Sequence, residues 1–161
     1  MEQTINKTSN MEEYRRAYYS CNKITMLENA QRWREANSGK YIYFIVNEDG
    51  ASIYTGSYLD RPIVERISFH LHGHSNLHMD AMELQEKYQM STVLFKNFKE
   101  YGLNKQDIHF LENYYKTEFV NVLGNNKVRF NEDELSMTKE ELIQLAESVP
   151  YEEFDIDKYL A

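Results

Sequence analysis

The sequence predicts an α+β protein: a small antiparallel sheet of about three strands, flanked by helices, with extra helices at both ends. Three observations predict it. Two short runs rich in β-branched and aromatic residues, 40–46 and 52–56, lie five residues apart. Longer segments around them carry apolar residues at helical spacing. Glycines and prolines, six and two in number, stand at the ends of these segments and divide them.

Taken in order, residues 11–36 contain no glycine or proline and can place Tyr18, Cys21, Met26, Ala30 and Trp33 on one broad helical face. Asn37-Ser38-Gly39 stops that helix. Lys40 to Val46 (KYIYFIV) reads as a strand, Asn47 to Ala51 as a turn, and Ser52 to Gly56 (SIYTG) as the return strand of an antiparallel hairpin. Pro62 suits the first turn of a helix running through Val64, Ile67 and Leu71 to Gly73. A second helical stretch is expected from about Leu77 to Tyr88 and a third strand from Thr92 to Phe98. Another helix should span Gln106 to Phe119, with Ile108, Leu111 and Tyr115 at core spacing. Thr138-Lys-Glu-Glu141 is a capping-box pattern ahead of Leu142, Ile143, Leu145 and Ala146, and Pro150 ends that helix. The rest, YEEFDIDKYLA, reads as a loose acidic and aromatic end. The expected organisation is an N-terminal helical extension (1–39), a central domain (40–131) and an acidic C-terminal helix and tail (132–161).

A length of 161 residues suits one domain with extensions. The single cysteine, Cys21, excludes an internal disulfide framework and a Cys-rich zinc site, so a reducing cytoplasm is the expected setting. No run approaches the roughly 20 apolar residues of a membrane span, and Met1 to Asn10 lacks the apolar stretch of a signal peptide. The net charge of −8 has the wrong sign for a protein that simply coats nucleic acid. Its distribution changes that reading. Residues 1–131 carry 16 basic and 16 acidic side chains, residues 132–161 carry 2 and 10. The body is neutral and can present a local basic face.

Chemistry concentrates around the hairpin. Its first strand carries Tyr41-Ile42-Tyr43, its second Tyr54-Thr55-Gly56, and the following helix carries Arg66 and His70 one turn apart on one face. Farther on, Glu112 opens Glu-Asn-Tyr-Tyr115 within a helix. On these residues the chain resembles the GIY-YIG nuclease family over about residues 40–131, the catalytic module of phage homing endonucleases and of some repair and restriction nucleases. Tyr41-Ile42-Tyr43 falls where that family writes Gly-Ile-Tyr, and Tyr54-Thr55-Gly56 where it writes Tyr-Ile-Gly, followed by Ser57 as a small polar residue. Arg66 falls at the helix arginine, His70 at a histidine of many members, and Glu112 at the metal-binding glutamate. Asn126, or else Asn121 or Asn125, matches a late asparagine of some members, and His74-Ser75-Asn76 a polar spot before the next helix. Tyr41 in place of glycine and Thr55 in place of isoleucine depart from the pattern without touching a group that does chemistry.

The resemblance implies a divalent-metal-dependent endonuclease hydrolysing DNA phosphodiester bonds, of phage or mobile-element origin. Phosphodiester hydrolysis needs an activated water, a counter-charge for anionic oxygens and help for the leaving oxygen. Glu112 is a hard oxygen ligand suited to one Mg²⁺ or Mn²⁺ ion. Arg66 offers a permanently charged planar fork to phosphate. The family's general base is a tyrosine, here Tyr54 or Tyr43, and His70 can order the water or phenol or take the proton itself. Gly56, Ser57, His74 and Asn126 are the expected substrate-binding positions. The partner expected is DNA, with a homodimer or protein partner as a source of specificity, and no membrane. A different class of function is a catalytically silent relative that binds nucleic acid or a protein, for instance a phage-encoded inhibitor of a host defence. A third reading gives the four imidazoles of His70, His72, His74 and His78 to zinc or nickel, but Gly73 breaks the helix between them, and exposed His72 and His78 with His74 near the cleft is the preferred expectation.

Overall fold

A computed structural model describes the backbone of residues 2–160, and the side chains of these except residues 2–10, 18, 19 and 21. The chain divides into two compact units, Met1–Ala36 and Asn37–Ala161.

The first unit is essentially one helix, α1 (Glu2–Asn37), which starts well before the expected residue 11. Met26 and Trp33, expected to share one broad face, are 54% and 51% exposed, and Ile24 and Leu27 are exposed too. Ile24 and Leu27, three residues apart, share one side of the helix and Met26 and Trp33 another, so the apolar residues form no single continuous stripe. Tyr18 and Cys21 lie outside the described side chains.

The second unit is α+β with an open antiparallel sheet of four strands in the order β2-β1-β3-β4. Strand β1 (Ser38–Asn47) turns through Asn47, whose side-chain oxygen accepts the backbone N–H groups of Asp49 and Ala51, into β2 (Ser52–Pro62). β2 is twice the expected length because its second half pairs with Ser38 to Ile42; Asp60, at φ 61°, is the extra residue where the register shifts between Gly39 and Lys40. Pro62 therefore ends a strand, and α2 (Ile63–Leu71) begins one residue later than expected. The stretch 77–80 is not helical. α3 (Ala81–Tyr88) starts at Asp80, whose carboxylate accepts from the Glu83 N–H in a capping box. β3 (Met90–Asn97) pairs with β1, and α4 (Lys105–Phe119) and α5 (Lys139–Ser148) follow, the latter capped by Thr138 as its sequence predicts.

The expectation of three strands and a loose acidic end is corrected here. Glu152–Phe154 forms β4 on the outer edge of β3, with Val93 opposite Phe154, and a short helix α6 (Asp157–Leu160) completes the chain. Ile156 anchors this end in the core at 4% exposure.

Alternation along β1 builds two cores. Tyr41, Tyr43 and Ile45 pack with Ile63, Ile67 and Leu71 of α2 and Leu84 of α3. Ile42 and Phe44 pack on the other face with Ile108, Leu111 and Tyr115 of α4 and Leu142 of α5. β2 is the edge over which the chain after α4 returns: Leu123 N–H donates to the Ile53 carbonyl at 2.8 Å. No helix among the described residues is long and apolar enough to cross a membrane.

Candidate functional site

The site is built where β2 meets α2. The hairpin register sets Tyr43 opposite Gly56 and Ile45 opposite Tyr54, so the two phenols lie on one face with ring centroids 6.1 Å apart. Gly56 is required by Tyr43 itself: a Cβ there would stand 2.4 Å from the Tyr43 hydroxyl oxygen. α2 packs across this face and, with its 3.6-residue turn, brings both Arg66 and His70 to the same phenol. Arg66 Nε–H donates to Tyr43 Oη at 3.2 Å, and His70 Nε2 lies 2.7 Å from the same oxygen. The His70 ring packs against both phenols, with centroids 5.4 Å from Tyr43 and 5.2 Å from Tyr54. Its other nitrogen, Nδ1, is 2.6 Å from Ser75 Oγ, which also accepts the Leu77 N–H at 3.3 Å. Four of the five expected catalytic residues, Tyr43, Tyr54, Arg66 and His70, thus form one cluster.

Burial governs its charge state. Tyr43 and His70 are fully buried, while Tyr54 retains 8% exposure and Arg66 is half-buried. Burial raises the Tyr43 pKa far above the ordinary phenol range, Tyr54 adding to the rise and Arg66 opposing it. Burial, with the Arg66 charge beside it, lowers His70 to about 3, so the imidazole is neutral at physiological pH. Burial works against the Arg66 charge, but the hydroxyls of Tyr43 and Tyr54 more than offset it and leave its pKa raised. At neutral pH the Arg66 guanidinium stands against a neutral Tyr43 phenol and a neutral His70 imidazole.

Glu112 comes from α4, on the opposite sheet face, and reaches the cluster by field: its charge contributes to the raised pKa of Tyr43. Its hydrogen-bond partner is elsewhere. Lys116, one turn on, donates to Glu112 Oε2 at 2.9 Å and to the Asn126 carbonyl at 2.8 Å, with both side chains of the ion pair nearly buried. The donor set at Glu112, a single carboxylate already neutralised by an ammonium, does not fit a divalent ion as it stands.

The expected substrate-binding residues are spread. Ser57 pairs with Ile42, which the register puts on the face opposite Tyr43. His74 is exposed and lies against Phe69, 6.0 Å between rings, while the Arg66 guanidinium stands 5.8 Å from the same Phe69 ring. Asn126 contributes its backbone carbonyl to Lys116. Asn121, the alternative late asparagine, is buried and accepts from Thr55 Oγ1 at 3.0 Å. His72 and His78 are exposed, and no group of three or more His, Cys, Asp or Glu residues converges among the described residues.

The chain matches no protein-family model, no curated protein and no solved structure. Its resemblance to the GIY-YIG nucleases therefore rests on the residues named above.

Two residues that shape the site escaped the sequence reading. Lys116 was legible as the i, i+4 partner of Glu112 on one helix. Ser75 stood in the polar His74-Ser75-Asn76 spot, but only the fold reveals that the turn after α2 aims Ser75, not His74, at His70.

Proposed function

We propose that the protein is a nuclease of GIY-YIG type that hydrolyses DNA phosphodiester bonds at the Tyr54–Arg66 side of this cluster. The observation that carries the reading is the convergence of Arg66 Nε and His70 Nε2 on the Tyr43 hydroxyl, beside the Tyr54 ring. A fixed guanidinium next to a donor-acceptor hydroxyl suits a phosphodiester, whose transition state gathers negative charge on its oxygens.

Arg66, anchored through Nε to Tyr43, presents the rest of its guanidinium to the phosphate. Tyr43, His70 and Ser75 stand behind it and hold its orientation. Tyr54, the less buried phenol, is the one that meets water. As the water oxygen bonds to phosphorus, the bond to the departing sugar oxygen breaks. The Tyr54 hydroxyl accepts the water's proton and passes its own to that oxygen. The exposed Phe69 ring beside Arg66 offers a stacking face for a neighbouring base.

The test is cleavage of plasmid, branched and single-stranded DNA by the native chain and by Arg66→Ala and Tyr54→Phe, with and without Mg²⁺ or Mn²⁺. Loss of cleavage by ~10²-fold or more in both variants, with folding intact, supports the reading. One observation favours the silent alternative: Tyr43 and His70 have no solvent exposure. If the native chain cuts none of these substrates yet binds DNA or a protein through Arg66 and Phe69, the alternative holds.

A further inference from the structure

The Glu112–Lys116 pair is the most deeply buried charge pair among the described residues, with side-chain exposures of 5% and 7%. The lysine ammonium is held by a carboxylate oxygen at 2.9 Å and a backbone carbonyl at 2.8 Å. Carboxylate and carbonyl oxygens are also the donors that a hard divalent ion takes. Glu112 and Lys116 together are neutral, so nothing in the pair attracts a second cation. To bind there, a divalent ion would have to part a buried ion pair and sit beside the displaced ammonium.

We infer that Lys116 is the resident cation of this site: its ammonium takes the place beside Glu112 that a divalent ion would occupy, and Glu112 recruits no metal. Its bearing on phosphodiester chemistry rests on the nuclease reading, in which the positive charge then comes from Arg66, because the Glu112–Lys116 pair is neutral as a whole. The exclusion of the metal from Glu112 does not depend on that reading. The pair is also fixed by helix geometry, since residues four apart on α4 meet without any movement of the backbone.

The experiment is a Mn²⁺ titration of the full chain, read by electron paramagnetic resonance of the free ion. Native protein and Glu112→Gln should bind Mn²⁺ alike. Lys116→Met should gain a site on the order of 100-fold tighter, lost again in the Lys116→Met/Glu112→Gln double variant. Saturable binding by native protein that Glu112→Gln abolishes would overturn the inference. Lys116→Met leaves a buried carboxylate unpaired and can fail to fold. In that event native against Glu112→Gln decides, and the double variant, which carries no charge at the pair, serves as the folded reference. Cleavage by native protein should persist in EDTA; cleavage that EDTA abolishes and Mn²⁺ restores overturns the inference too. If no substrate is cut under any condition, the nuclease reading fails, and the Mn²⁺ titration still decides the fate of Lys116.

Discussion

Replacing Gly56 with alanine would drive a methyl group to within 2.4 Å of the Tyr43 hydroxyl oxygen and 2.5 Å of the ring carbon that bears it. The neighbour cannot yield cheaply, because that hydroxyl is held by both Arg66 and His70. Gly56→Ala is expected to cost about 1–3 kcal/mol by overpacking. Tyr43→Phe keeps the ring but leaves the buried His70 Nε2 without its partner, at a cost of about 1–3 kcal/mol. Both should disorder Arg66 and reduce any cleavage, and the two substitutions should be non-additive because they act on one contact. Urea unfolding of the two single variants and the double variant measures this; additive costs would mean that Gly56 and Tyr43 are independent. Tyr43, Tyr54, Arg66 and His70 were legible as candidates through the resemblance to the GIY-YIG nucleases, and the 3.6-residue helix period alone puts Arg66 and His70 on one face. Glu112 was legible as a residue, and Lys116, one turn on, as a partner it can reach. That the pair is buried, with Lys116 and not a metal beside the carboxylate, is decided by tertiary packing.

At the scale of elements, local signals located what local interactions hold. Thr138 caps α5 and the Asn47 turn closes the hairpin as their residues predict. Asp80 and Glu83 form a capping box that sets the start of α3 at Ala81, past the expected start near Leu77. β4 was not legible, because Glu152-Glu153-Phe154 has little strand propensity of its own. It is a strand through its partners: register with β3, Thr92 Oγ1–H donating to Glu153 at 2.9 Å, and Ile156 buried just beyond. An acidic tail free to move could compete with DNA for the site, but this pairing ties it to β3. The strand order puts β4 at the edge opposite β2, on which Tyr54 and Gly56 lie. Removing residues 150–161 would uncover the β3 edge and strip Tyr151 from Lys96, whose ammonium stands 4.3 Å from that ring. The expected result is a lower melting temperature and no gain in cleavage per folded molecule; Ile156→Ala alone should cost about 2–5 kcal/mol. A truncated chain that melts like the full one and cuts faster would restore the competition idea.

For the whole molecule, the net charge of −8 comes entirely from the last thirty residues, yet acid sensitivity is expected to have a cationic source as well. His70 is neutral in the folded protein because burial, with Arg66 beside it, lowers its pKa to about 3 from the ordinary 6.5. Between those values the unfolded chain takes up a proton that the folded chain refuses. The His70 contribution is therefore complete above pH 6.5 and is lost as pH falls toward 3, at up to about 1.4 kcal/mol per pH unit. Between pH 6.5 and 4.5 the loss should come to roughly 2–3 kcal/mol. Carboxylates titrate across part of the same range, so the native curve alone does not isolate the effect. His70→Gln removes the imidazole while keeping a polar group near Tyr43 and Ser75. The variant should be less stable than native protein at pH 7, and the gap should narrow as the pH falls to 4.5, because only native protein carries the His70 penalty. Urea midpoints at half-unit intervals measure both curves. Parallel curves would mean that His70 is protonated as easily in the folded chain as in the unfolded one, and the neutral cluster behind Arg66 would have to be redrawn around an imidazolium.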